Sequence, residues 1–151
     1  MDNIGFENIA KYISEIQRMG NIFFLRELSY LGLGYGQFNF LMELYKKDGV
    51  RQEDLSLNLR IDKGTTARAV KKLETEGFIV RMSDDKDKRA YRIFLTEKGI
   101  NHKNDVYKVA KNWEENLTKN LTAKEKEIIL NLLKKCIWIG EWFNEYTRTT
   151  C

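Results

Sequence analysis

The feature that most constrains this chain is a change of period at Gly77. Upstream, from Lys63 to about Glu76, apolar or small residues fall at Thr66, Ala69, Val70 and Leu73 and close on Gly77. That spacing predicts one buried helical face. The opposite side carries Lys63, Thr65, Arg68, Lys71 and Lys72. Downstream the period falls to two. Phe78, Val80 and Met82 alternate with Ile79, Arg81 and Ser83, and Tyr91, Ile93 and Leu95 alternate with Ala90, Arg92 and Phe94. The charged loop Asp84-Asp85-Lys86-Asp87-Lys88-Arg89 joins the two runs, which predicts a β-hairpin. A shorter helical pattern at residues 51–59, with Leu55 and Leu59 one turn apart, stands before the first helix. Two helices followed by a hairpin make a winged helix-turn-helix. The expected fold class is mainly α with a small antiparallel β-hairpin (α+β).

A helix of ~14 residues is ~21 Å long, enough to lie across a DNA major groove. Asp62 is placed to cap it, and the hairpin is placed to reach the neighbouring backbone or minor groove. Charge supports this placement. Residues 60–92 hold ten Lys and Arg against six acids, while elsewhere 16 bases and 16 acids cancel. The net charge of +4 therefore arises wholly in the segment expected on DNA. Arg51 and Gln52 open the preceding helix, where they either reach a phosphate or stay solvated.

The flanks are helical. Residues 4–28 place Phe6, Ile9, Ala10, Ile13, Ile16, Gly20, Phe23, Phe24 and Leu28 at steps of three and four. A glycine-rich break at residues 31–36 follows, lacking the spacing of a dinucleotide loop. Residues 37–48 predict a helix with Phe38, Leu41, Leu44 and Tyr45 inward, ended by Asp48-Gly49. After the hairpin, Thr96 is a candidate cap for a helix running to about Asn116 through Ile100, Val106, Val109, Ala110 and Trp113. Thr122 and Glu125 form a capping box for a last helix, lined by Ile128, Ile129, Leu132, Leu133, Cys136, Ile137, Ile139, Trp142, Phe143 and Tyr146. Trp138 faces elsewhere. The expected organisation is a dimerisation lobe at 1–34, a DNA-binding lobe at 35–96 and a second dimerisation lobe at 97–151. Apolar surface at both ends predicts a two-fold homodimer, presenting two recognition helices about 34 Å apart.

Other classes fit poorly. No apolar run approaches the ~18 residues of a membrane span, and the N-terminus lacks the pattern of a signal peptide, so a cytoplasmic protein is expected. Cys136 and Cys151 give no disulfide framework, and Cys136 is expected as a small core residue. One histidine, His102, with no Cys/His cluster argues against a structural metal. No nucleophile stands with a base and no phosphate loop is present, so neither catalysis nor a cofactor is expected.

Taken together the chain resembles the MarR family of bacterial transcriptional regulators. The most specific match is Asp87-Lys88-Arg89, then Leu95-Thr96 and Gly99, against the family's D-x-R … L-T-x-x-G pattern. Ile61-Asp62, Val70 to Glu74, Gly77 to Ile79 and Arg81 match its recognition helix and first wing strand, and Leu121-Thr122 with Glu125 matches the start of its final helix. The chain departs from the family at Leu33-Gly34-Tyr35-Gly36-Gln37-Phe38, where many relatives carry a capping threonine, and it lacks the first-helix cysteine of the peroxide-sensing branch. The resemblance implies that Arg89 enters a minor groove and that Asp87 helps hold it. It implies a pseudo-palindromic operator bound by a homodimeric repressor, released by a small aromatic or phenolic effector. Ile16, Phe23, Phe38 and His102 are the candidate lining of that effector's site. The competing reading is a winged-helix module whose helix and wing bind protein.

Overall fold

The computed structural model of the protein describes residues 8–137. Its elements are α1 (Ile9–Leu28), α2 (Tyr35–Lys46), β1 (Val50–Arg51), α3 (Gln52–Leu59), α4 (Lys63–Thr75), β2 (Ile79–Ser83), β3 (Tyr91–Leu95), α5 (Glu97–Asn101), α6 (Lys103–Thr118) and α7 (Ala123–Ile137). The fold is mainly helical with a small antiparallel sheet, as the change of period implies. Contacts divide the chain into two units, Met1–Trp113 and Glu114–Cys151.

In the first unit α1, α2, α4 and α5 begin where a side chain satisfies an orphan amide. Asn8 caps α1 by accepting from the Lys11 N–H at 2.8 Å. Gly34 cannot cap α2 with a side chain, so the Gln37 side chain reaches back and accepts from the Gly34 N–H at 3.2 Å. Between α3 and α4, Arg60 takes a left-handed conformation at φ 53°.

The core gathers Phe24 and Leu28 from α1, Phe40, Leu41 and Leu44 from α2, Leu55 from α3, Val70 and Leu73 from α4, and Phe78, Ile93 and Val106, each at 1% exposure or less. Burying each such leucine contributes about 1.5–3 kcal/mol. All four residues expected inward on α2 are buried.

Two features differ from expectation, and the structure also decides which side of β2 faces the core. The sheet has three strands in the order β1-β3-β2, because Val50 and Arg51 pair with Ile93 and Arg92 before α3 begins. In β2 the inward residue is Ile79, while Val80 and Met82 are exposed. Ile79, Arg81 and Ser83 stand opposite Leu95, Ile93 and Tyr91 on one face of the sheet. The helix expected from Thr96 to Asn116 is broken at His102 (φ −86°, ψ 4°), dividing α5 from α6. Thr96 does cap α5, accepting from the Gly99 N–H at 3.1 Å. Gly99 sits against the Phe78 carbonyl oxygen so closely that a Cβ there would collide with it.

The apolar stripe of α1 divides in two. Gly20, Phe24 and Leu28 are buried, whereas Ile9, Ile13 and Ile16 are exposed in the single chain. In the second unit α7 starts at the expected capping box, with the Thr122 N–H donating to Glu125 and the Glu125 N–H donating to Thr122 Oγ1. None of the residues of α7 is buried, and Ile128, Ile129, Leu130, Leu132 and Leu133 stand open. Cys136, expected in a core, is exposed there too. Phe6, Trp138, Ile139, Trp142, Phe143, Tyr146 and Cys151 lie outside the described residues.

Candidate nucleic-acid interface

Helix α4 is placed by its N-cap and its buried face. Asp62 Oδ1 accepts from the Thr65 N–H at 2.8 Å. Thr66, Ala69, Val70 and Leu73 then anchor the helix on the core. This leaves Lys63, Arg68, Lys71 and Lys72 exposed and Thr65 half-buried on the outer side. The cations rest on local acceptors. Lys63 meets Glu53 at 3.0 Å, Lys71 meets Glu74 at 3.6 Å, Lys72 meets Glu76 at 2.6 Å, and Arg68 donates to Thr65 Oγ1 at 2.8 Å. Exposed pairs of this kind are worth little, so a phosphate can replace the carboxylate at small cost.

The wing is built on a residue whose sequence context looks like solvent. Asp84 is fully buried at the start of the loop. Its Oδ1 accepts the Lys86 and Asp87 N–H groups at 2.8 and 3.1 Å. Its Oδ2 accepts from Arg92 Nε at 2.7 Å and Arg51 Nε at 3.1 Å. The Arg51 guanidinium foremost, followed by the Lys86 amide, holds this carboxyl well below the usual carboxylate range despite its burial. Arg92 also donates to the Gly49 carbonyl at 2.8 Å. The loop, the first strand and the last strand of the sheet are thus tied at one carboxylate.

A second tie joins wing to helix. Arg81 on β2 donates from Nε and Nη2 to the two oxygens of Glu74 on α4, at 3.1 and 2.6 Å. Arg81 also stands 5.9 Å from the Tyr91 ring. The wing tip carries Lys86, Asp87, Lys88 and Arg89, all exposed. Asp87 Oδ1 accepts the backbone N–H of Arg89 at 3.0 Å. The carboxylate expected to help hold Arg89 thus meets its main chain.

Between the helices and the wing runs an open cleft of about 460 Å³. Lys63 and Thr66 line one side with Gln52 and Glu53, and Arg81, Asp87, Arg89 and Tyr91 line the other, with Arg51 joining them. Of the residues expected on DNA, Lys63, Asp87 and Arg89 share this cleft. Lys86 and Lys88 stand on the wing outside it, and Thr65, Arg68, Lys71 and Lys72 stand on α4 outside it. Sequence reasoning missed Asp84, Arg81 and Arg92. Their signal was present as arginines on the period-2 runs with acids three to eight residues away.

The candidate effector residues separate. Ile16 lines a cleft of about 270 Å³ with Ile13, Gln17, Gly20, Tyr35 and Trp113. Phe23 and Phe38 belong to an aromatic cluster beside it, in which Phe24 lies 4.3 Å from Phe38 and Phe23 lies 5.3 Å from Trp113. His102 lies elsewhere, 5.8 Å from the Phe78 ring and 2.9 Å from Asp105. Among the described residues no group of His, Cys, Asp and Glu could hold a metal, and no helix is long and apolar enough to cross a membrane.

Comparison with known proteins agrees with this geometry. Residues 33–91 match the MarR family. The chain is 36% identical over 113 residues to YybA of Bacillus subtilis, an uncharacterized helix-turn-helix-type transcriptional regulator, covering 72% of this chain and 73% of that protein. A MarR transcriptional regulator from Methanosarcina mazei Go1 superposes with a TM-score of 0.82 at 45% identity, covering 87% of this chain and 95% of its own. A MarR family regulator from Listeria monocytogenes, crystallised with 26mer DNA, superposes with a TM-score of 0.86 at 27% identity, covering 95% and 96%.

Proposed function

The chain belongs to the MarR family of winged helix-turn-helix transcriptional regulators, and on that premise we propose that it is a homodimeric repressor of a pseudo-palindromic operator. The family is one of DNA-binding regulators, not of enzymes. The observation that carries the reading is the pairing of two cationic surfaces across one open cleft. Lys63 of α4 and Arg89 of the wing line that cleft, and Arg68 and Lys71 extend the cationic side of α4 outside it. α4 enters the major groove, where Thr65 and Arg68 meet base edges and the lysines meet phosphates. Arg89 enters the flanking minor groove, whose negative potential deepens where it narrows.

The open apolar surface of α1 and α7 supports assembly with a second copy. At roughly 25 cal/mol per Å² of apolar area removed from water, covering such faces is favourable. A dimer lying over two major grooves excludes other proteins from the duplex it covers, which favours repression as the sign. The cleft beside Ile16, Tyr35 and Trp113 suits a small aromatic effector that shifts the dimer away from its DNA-bound spacing.

The test is selection of duplexes from a random pool by the purified protein, then fluorescence anisotropy on the selected sequence across salt concentrations. The expected result is an inverted repeat, a preference of ~10³ or more over a scrambled duplex, and a log-affinity slope of about −6 to −10 in log salt. Failure to enrich any duplex would leave the helix and wing as a protein-binding surface.

A further inference from the structure

We infer that Arg51 is a further DNA-contacting residue, holding one backbone phosphate at the cleft between wing and helices, with Asp84 as the residue that positions it. Arg51 ends β1 and precedes the first turn of α3, so its backbone is fixed on both sides. Its partner across the sheet is Arg92, and the two side chains converge on the same oxygen of Asp84. Both use Nε for that bond, but their remaining groups differ. Arg92 spends Nη1 on the Gly49 carbonyl. Among the described residues nothing bonds the terminal amino groups of Arg51, and its side chain remains 35% exposed on the cleft.

The guanidinium is thus pinned at one edge and open at the other, the geometry suited to a forked donor facing a phosphate. Two neighbours extend the positive lining, Lys63 from α4 and Arg89 from the wing. The cleft's carboxylates are already engaged, Glu53 by Lys63 and Asp87 by the Arg89 amide. Arg81, the fourth cation of the lining, is held by Glu74. A duplex that receives α4 in its major groove and Arg89 in the adjoining minor groove carries the intervening strand past this cleft. Its phosphate there meets Arg51. The buried carboxylate fixes the arginine before DNA arrives, which lowers the side-chain entropy lost on binding.

This inference rests on the DNA-binding reading above, and its experiment separates the two. The full chain and its Arg51→Gln, Arg51→Lys and Asp84→Asn variants are titrated on the selected duplex at several salt concentrations. The same proteins are titrated on duplexes carrying a single uncharged methylphosphonate, moved linkage by linkage. For Arg51→Gln, a salt slope shallower by about 0.9 per half-site is expected. In the unaltered protein one linkage per half-site costs several-fold in affinity when neutralised, and in Arg51→Gln that linkage costs nothing further. Asp84→Asn removes a negative charge near DNA, so charge alone would tighten binding; a fall in affinity, smaller when Arg51 is already Gln, reports lost positioning. Arg51→Lys keeps the charge but not the fork and is expected to fall between the extremes. An unchanged slope and an unchanged methylphosphonate profile in Arg51→Gln would overturn the assignment while leaving DNA binding intact. Selection of no duplex by the unaltered protein would remove the DNA reading itself, and this one with it.

Discussion

Glu74 of α4 and Arg81 of β2 form a two-point bond, at 2.6 and 3.1 Å, between the helix and the hairpin that flank the cationic cleft. The bond ties the hairpin to α4. Glu74→Gln and Arg81→Gln, singly and together, are expected to show a coupling of about 1 kcal/mol in urea unfolding, the ordinary scale for a partly exposed ion pair. Duplex affinity should fall in each single variant with little change in sequence preference. Additive losses would mean that the pair does not couple helix to wing.

Arg68 and Lys71 stand on the same exposed side of α4 but should behave differently. Arg68→Ala is expected to cost about 1–3 kcal/mol on the preferred duplex and to relax preference at one base position. Lys71→Ala should weaken binding to all duplexes alike and make the salt slope shallower by about 0.9 per half-site. Anisotropy on the selected sequence and its single-base variants separates the two patterns.

The acid response follows from the direction of the shifts. Arg51 and the loop amides hold Asp84 well below the usual carboxylate range, and Arg81 holds Glu74 low. Folded carboxyls that release protons more readily than unfolded ones stabilise the fold above the unfolded pKa, and this stabilisation is lost as pH falls through the folded one. Stability measured by urea unfolding is therefore expected to decline on acidification below about pH 4. The decline should be flatter in Asp84→Asn, which is less stable at neutral pH. At the alkaline end the sign reverses. Burial pushes the Tyr45 hydroxyl, which donates to the Gly99 carbonyl at 2.9 Å, up to about 12. Its contribution is complete below about pH 10 and declines above it, a slope that Tyr45→Phe should remove.

Gly99→Ala places a methyl group against the Phe78 carbonyl, an atom of the main chain that cannot swing aside. A loss of about 1–3 kcal/mol is expected, the range for overpacking. A melting temperature equal to that of the unaltered protein would show that α5 shifts freely.

Arg60 occupies the left-handed region without being glycine, at the turn between α3 and α4. Arg60→Gly should relieve about 1 kcal/mol of strain, offset in part by a more flexible unfolded chain. A small rise in melting temperature is the expected result.

Much of this architecture was legible because it is written in local periodicity. The steps of three and four through Thr66, Ala69, Val70 and Leu73 placed the buried face of α4, and Asp62 and Thr122 marked helix starts by their own side chains. What escaped was fixed by distant partners. Val50 and Arg51 form a strand only because Ile93 and Arg92 lie beside them, and two residues have no period to detect. Asp84 is one of three aspartates in a run of charges, and only the arginines at positions 51 and 92 select it for burial. Val80 and Met82 alternate as an inward face would, but the core receives Ile79 instead. The stripe on α1 was visible, yet a stripe does not say whether its cover lies within the same chain.

The strand order β1-β3-β2 leaves one border of β2 with no neighbouring strand among the described residues, and on it Val80 and Met82 face outward. Such a border is a template for strands of other molecules. Here the hazard is interrupted at its midpoint, because the charged Arg81 stands between the two apolar residues along the strand, on the opposite face, where Glu74 holds it. The ion pair that ties the hairpin to α4 thus doubles as a gatekeeper of colloidal behaviour. A protein that loses Arg81 is therefore expected to aggregate more readily in the absence of duplex, as well as to bind duplex more weakly.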